Sequence, residues 1–210
     1  MPADLTATSI SSSSKGLINP SCRIILALTG ASGMIYAQRL LTHLLASEIE
    51  VHLIVSRQAA TVLKTELGCG PDYFQQLPVM HHDCQDFSSP LATGSFHTQG
   101  MIILPCSMNS LSAIAQGLSL NLVHRAAAVC LKERRKLILV PRETPLSSIH
   151  LKNMLTLSQE GAVILPASPA FYNHPKDLEE LVEFFIQRIL DQIGYASACF
   201  EAYARRVKEP

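Results

Sequence analysis

The sequence predicts an α/β domain in which a mostly parallel sheet lies between two layers of helices. Three observations carry this. Short β-branched runs, apolar at nearly every position, recur along the chain; segments of helical period separate them; and each run ends in a stretch rich in hydroxyls and small residues. A continuously apolar strand suits burial on both faces, and alternation of such strands with helices implies parallel crossovers.

Residues 1–22 begin MPADLTATSISSSSKGLINPS and lack the basic start and apolar stretch of a secretory signal, so they are expected to form a disordered arm. The flavour changes at Arg23. RIILALT is the first expected strand, TGASG its exit loop, and MIYAQRLLTHLL after Gly33 a helix. EVHLIVS from Glu50 is the second strand, and an apolar helical segment leads to Glu66. Between Leu67 and Thr98 periodicity is weak and turn formers are frequent, which predicts an irregular crossover. MIILPC from Met101 is the third strand, followed by helices at SLSAIAQGL from Ser110 and VHRAAAVCLKERR from Val123. KLILVPRE from Lys136 and GAVILPA from Gly161 supply the fourth and fifth strands. The last helix is expected over DLEELVEFFIQRILDQI, with Pro175 in its first turn, where a missing donor costs nothing, and Gly194 as its stop. The folded domain is therefore expected over 23–194, with 195–210 as a tail.

Composition removes several function classes. Seventeen basic and seventeen acidic residues cancel at pH 7, so overall charge draws the chain toward neither nucleic acid nor an anionic membrane. No apolar run approaches the roughly 20 residues of a membrane span. The six cysteines are scattered without a CxxC pair, which predicts free thiols in a reducing compartment, the cytoplasm.

Ligands of open parallel sheets bind beyond the carboxyl ends of the strands. The segments there are TGASG, SRQAA, CSMNS, PRETP and PASPAFY, and they form the candidate site. TGASG, Thr29 to Gly33, opens a helix whose free N–H groups attract an anion. It is not GxGxxG, and Met34 and Tyr36 stand where the TGxxxGxG dehydrogenase variant needs glycines. The YxxxK match at Tyr172 and Lys176 is interrupted by Pro175, which breaks a continuous helix. PCSMNS gives a second helix start, with Ser107, Asn109 and Ser110 as donors, and two such turns on one sheet edge suit a phosphorylated cofactor. Cys106 has no clear base beside it and reads as a small buried residue.

Arg125 and Lys132 stand two helical turns apart, about 10 Å, and with Arg134 and Arg135 suggest a cationic stripe. A returning crossover helix ends at the opposite sheet edge, so Lys132 should lie away from TGASG and CSMNS of its own chain; a ligand role for it needs a neighbouring subunit. Arg142 and Glu143 end the fourth strand as a cation and a carboxylate suited either to holding a phosphate and exchanging a proton or to pairing with each other. His81, His82, Asp83 and Cys84 are adjacent in sequence and have no second ligand group at suitable spacing, so no metal is expected.

LTGASGMIYAQRLL, GSFHTQGMIILPCSMNSLSAIAQG, RAAAVCLKERRKLILVPRETPLSSIHLKNML and GAVILPASPAFYNHP together resemble the UbiX-like flavin prenyltransferases, and the likeness runs from about Arg23 to Gly194. The resemblance implies a Rossmann-like or flavodoxin-like fold that binds FMN through Gly30, Ala31, Ser32, Ser56, Ser107, Met108, Asn109, Ser110 and Arg142. It assigns dimethylallyl monophosphate to Arg125, Lys132, Tyr172 and Arg188, and chemistry to Ser32, Glu66, Glu143 and Tyr172. The implied reaction moves a dimethylallyl group to N5 and C6 of reduced FMN without a metal. A homododecamer with sites at subunit boundaries and a product used by a UbiD-type decarboxylase are implied too. Two features depart from the family: Asn109 stands where a lysine is frequent, and the chain has no tryptophan. The related cysteine decarboxylases carry PxMNxxM, which is absent here, and a non-catalytic flavin carrier would not need Glu66, Lys132, Glu143 and Tyr172.

Overall fold

The computed structural model describes residues 22–47, 49–70 and 72–195. The expected arm and tail, apart from Cys22 and Tyr195, lie outside these residues. In chain order the elements are β1 (Arg23–Leu28), α1 (Met34–Ala46), β2 (Glu50–Val55), α2 (Arg57–Leu67), α3 (Asp72–Gln75), β3 (Met80–His82), β4 (Gly100–Cys106), α4 (Met108–Ala115), α5 (Leu122–Lys132), β5 (Lys136–Pro141), α6 (Ser148–Gln159), β6 (Val163–Ile164) and α7 (Leu178–Gln192). A 3-10 turn at Pro90–Ala92 lies in the crossover between β3 and β4.

All pairings in the sheet are parallel, in the order β3-β2-β1-β4-β5-β6. This is the Rossmann order, and without the short β3 it is the flavodoxin order; in either, the switch point falls between β1 and β4. The period-2 alternation of a strand sends successive side chains to opposite layers. Ile24, Leu26 and Leu28 of β1 pack with α1 and α7 residues such as Leu40 and Ile186, whereas Ile25 and Ala27 pack with α4 and α5 residues such as Leu111 and Ala126. Central β4 is buried at every position. Each large side chain so buried contributes roughly 1.5–3 kcal/mol.

Several expectations need correction. The crossover after Leu67 contains a sixth strand, β3, where the sequence predicted irregular chain; its three residues lie on the sheet edge and are mostly exposed, so no apolar run marks it. The segment after PRETP forms α6, which buries only Asn153 and Leu157 and so lacks an apolar stripe. β6 is reduced to Val163–Ile164. Pro175 lies outside the last helix, because Asp177 caps it by accepting from Glu180 N at 2.8 Å while Glu180 accepts from Lys176 N at 3.0 Å. Gly194, at φ +77, stops that helix as expected.

Candidate functional site

The switch point is tied together by Thr29, which is buried at the end of β1. Its N–H and its hydroxyl both donate to Pro105 O, at 3.2 and 2.8 Å, and its Oγ1 accepts from Ser107 N at 2.7 Å. One hydroxyl thus sets the β1 exit loop against the β4 exit loop. A Cβ added to Gly30 would come within 2.5 Å of Gln58 Cβ, so the start of α2 can lie against this loop only because position 30 has no side chain.

Glu66 closes the other end of the loop. Its carboxylate accepts from Gly33 N at 3.0 Å and Met34 N at 2.8 Å, which caps α1, a helix that receives no side-chain cap from Gly33 itself. This corrects the expectation that those N–H groups wait for a ligand anion: a carboxylate of the chain already uses them. Glu66 belongs to α2 rather than following it. Burial pushes its carboxyl upward, but hydrogen bonds from Ser32, Met34 and Gly33 and the charge of Arg142 outweigh that and hold it below the usual range. Glu66 therefore draws Ser32 and Arg142 into one group.

The hydroxyls at the next two helix starts serve as caps. Ser56 accepts from Ala59 N at 3.1 Å, and Ser107 accepts from Ser110 N at 3.3 Å while its own hydroxyl lies 3.2 Å from Ser110 Oγ. Met108 is buried in the core and Asn109 is exposed beside it. Arg142 and Glu143 follow β5 rather than ending it. They form no ion pair with each other among the described residues: Glu143 accepts from Thr144 N at 3.0 Å, and Arg142 bears on Glu66. Burial drives the Cys106 thiol up to about 12, as befits the inert buried residue read from the sequence.

The remaining residues form two further groups. Tyr172 meets Phe184 edge-on, with centroids 5.4 Å apart, and Arg188 stands one turn beyond Phe184 on α7, bonded to Asp191 at 2.9 Å. Arg125 donates from Nε to Ala92 O at 2.9 Å, and Lys132 pairs with Glu133 at the end of α5. The expected cationic stripe stops there, because Arg134 leaves the helix at φ +56 and Arg135 turns back to donate to the carbonyls of Phe96 and Gly94. As the crossover geometry required, Lys132 lies near the start of β5, at the sheet edge away from the switch point. Within one chain, then, Ser32, Glu66 and Arg142 converge, Tyr172 meets α7 at Phe184, one turn from Arg188, and Arg125 and Lys132 stand apart.

Thr29 and Gln58 were not singled out in the sequence. Thr29 did stand at a strand exit, a position where a hydroxyl can bridge two loops, but its partner lies 76 residues away.

Known proteins resemble the chain along most of its length. The family model described as Flavoprotein matches residues 12–190. The flavin prenyltransferase UbiX of Methanocaldococcus jannaschii is 46% identical over 181 residues, which cover 86% of this chain and 98% of that protein. The enzyme of the same name from Pseudomonas aeruginosa is 48% identical over 188 residues, covering 82% of this chain and 89% of its own. The chain belongs to the UbiX-like flavin prenyltransferase family. The crystal structure of the family member AnUbiX in complex with FMN and dimethylallyl pyrophosphate gives a TM-score of 0.81 at 42% identity, over 83% of this chain and 93% of that one. A dodecameric FMN-dependent UbiX-like decarboxylase from Escherichia coli O157:H7 gives 0.79 at 43%, over 82% and 94%. The peptidyl-cysteine decarboxylase EpiD, at 18% identity and a TM-score of 0.56, shares the fold alone.

Proposed function

We propose that this flavin prenyltransferase family member transfers the dimethylallyl group of dimethylallyl monophosphate to N5 and C6 of reduced FMN. The reading is carried by identity of up to 48% to proteins of that name, sustained over more than four fifths of the chain. FMN enters as the acceptor substrate. The residues fit it: Gly30 leaves its loop free of a side chain, Ser56 and Ser107 mark two helix starts, and Arg142 offers an exposed guanidinium on the same sheet edge. Ala31, Ser32, Met108, Asn109 and Ser110 complete the FMN set.

Loss of phosphate from an allylic carbon builds negative charge on the leaving oxygens. Arg125, Lys132, Arg188 and the Tyr172 hydroxyl are suited to take up that charge through charge-assisted hydrogen bonds. Glu143 supplies a proton to the departing phosphate. Glu66, held ionised at neutral pH, orients the Ser32 hydroxyl beside the acceptor. Separation of Lys132 from the switch point supports a homo-oligomer, a dodecamer as in the E. coli relative, with sites completed across a boundary that excludes water. The product goes to a UbiD-type decarboxylase. Among the described residues no helix is long and apolar enough to cross a membrane, and five free cysteines support a reducing, cytoplasmic setting.

Inorganic phosphate release tests the reaction. With dimethylallyl monophosphate and reduced FMN under anaerobic conditions, release should stop at one phosphate per flavin and be absent with oxidised FMN. Release that ignores the flavin would mark a phosphatase and contradict the proposal. Parallel runs with the pyrophosphate, whose leaving group is inorganic pyrophosphate and is assayed as such, identify which phosphorylated donor is used.

A further inference from the structure

Outside the residues assigned so far, an unbroken line of polar side chains crosses the β1–β2–β3 end of the sheet. Arg23 Nε donates to Glu50 Oε1 at 3.0 Å, and the same oxygen lies 2.9 Å from His52 Nε2. His52 Nδ1 lies 2.9 Å from His82 Nε2, and His82 Nδ1 lies 2.9 Å from Ser89 Oγ. Ser89 accepts from Leu91 N at 3.3 Å and so caps the 3-10 turn Pro90–Ala92. The turn's last carbonyl, that of Ala92, receives the Arg125 Nε–H. A histidine pair, His52 buried and His82 half-buried, is thereby coupled to a residue of the donor-phosphate set.

The chemistry of the partners fixes the protons. An ionised Glu50 can only accept, so His52 Nε2 carries the hydrogen and Nδ1 accepts; His82 Nε2 then donates, and its Nδ1 accepts from the Ser89 hydroxyl. Both rings are neutral in this arrangement. A proton added at His82 Nδ1 reverses that bond: the ring N–H donates to Ser89 Oγ, the hydroxyl hydrogen loses its acceptor, and the longer Leu91 N contact at 3.3 Å must share the oxygen with a charged donor. A second, at His52 Nδ1, would set two N–H groups against each other across the 2.9 Å contact.

The surroundings favour the neutral state. Burial pushes His52 down first, with Arg23 adding to it and Glu50 opposing; burial also lowers His82, helped by His52 and His81 and opposed by Asp86. Asp83 turns to Gln85 N, and the Phe96 ring stands edge-on to His52, 5.0 Å between centroids. Because the folded values lie below the ordinary histidine value of 6.5, the chain's contribution is complete above that pH and is lost as pH falls below it.

We propose that Glu50, His52, His82 and Ser89 form a pH-gated positioning chain for Arg125: neutral, it holds the Ala92 carbonyl against the guanidinium, and proton uptake releases the turn and weakens donor binding while leaving the flavin loops in place. This rests on the reading that Arg125 binds the donor phosphate.

The donor's own second ionisation, near pH 6, tilts any KM profile, so the test compares proteins that share it. KM for dimethylallyl monophosphate would be measured between about pH 7.5 and about pH 5.5 in the wild type and in His82→Gln, which can donate toward His52 and cannot take up a proton. The wild-type KM should rise severalfold more than that of the variant, with about tenfold as the ceiling for one proton taken up below pH 6.5, and kcat should change alike in both. Ser89→Ala, which cuts the chain at its far end, should show the raised KM at both pH values. Equal KM slopes in wild type and His82→Gln would overturn the proposal. Hydrogen exchange on the wild type, corrected for intrinsic rates, needs no variant: Leu91 and Ala92 amides should lose protection on acidification, and unchanged protection overturns it too. A wild type that consumes no donor defeats the functional reading, whereas the exchange result stands on its own.

Discussion

Glu66 is the residue on which the local structure of the β1 exit loop turns. Its carboxylate takes the place a bound anion would fill at the start of α1, and its depressed pKa means this stabilisation is present above the ordinary carboxyl value of 4.5 and lost as pH falls through the lower folded value. Glu66→Gln keeps the shape and removes the charge, so stability at neutral pH should fall by about 1 kcal/mol, the scale of a helix cap, with a flatter acid limb in chemical denaturation. His124 presents the opposite case. Among the described residues neither of its buried ring nitrogens has a hydrogen-bond partner, and burial lowers its pKa, so the ring stays neutral and its protonation erodes stability as pH drops below 6.5. His124→Leu should raise the thermal midpoint, more at about pH 5.5 than at about pH 7.5. Which of these roles could be read beforehand follows from sequence separation. Ser32 and Ser107 could be read, since strand exits and caps are local patterns, whereas Thr29 and Glu66 act on partners 76 to 78 and 32 to 33 residues away.

At the level of elements, legibility followed burial. β1, β2, β4 and β5 were readable because both faces are covered and their apolar runs are broken only by Arg23, Glu50, His52 and Lys136; β3 and α6 were not, because edge exposure leaves them without a pattern. α6 is docked instead by polar contacts: Asn153 donates to Ser112 Oγ at 2.9 Å and accepts from Gln116 Nε2 at 3.2 Å. Asn153→Ala should cost about 1 kcal/mol in urea denaturation, the net worth of a hydrogen bond, since Ser112 and Gln116 are not buried and can turn to water. The shift of the last helix start from Pro175 to Leu178 has the same lesson in miniature, for Asp177 and Glu180 satisfy donors that proline could only omit.

For the whole molecule, the order of the sheet gathers the strand-exit loops at one edge and sends Lys132 to the other, so under the proposed assignments a single chain would hold the acceptor residues together and leave the donor residues divided. Leu118, Leu120, Ile149, Leu151 and Leu155 are exposed around α4 to α6, a surface suited to burial between copies. Ile149→Glu with Leu155→Glu should shift sedimentation toward the monomer and abolish phosphate release; turnover by a true monomer would contradict a shared site. Prenylation of flavin by this chain is read from the mass of FMN extracted after anaerobic incubation of the purified protein with reduced FMN and dimethylallyl monophosphate: a flavin heavier by one dimethylallyl unit is expected, and recovery of unmodified FMN from protein that demonstrably binds both substrates would rule the reaction out.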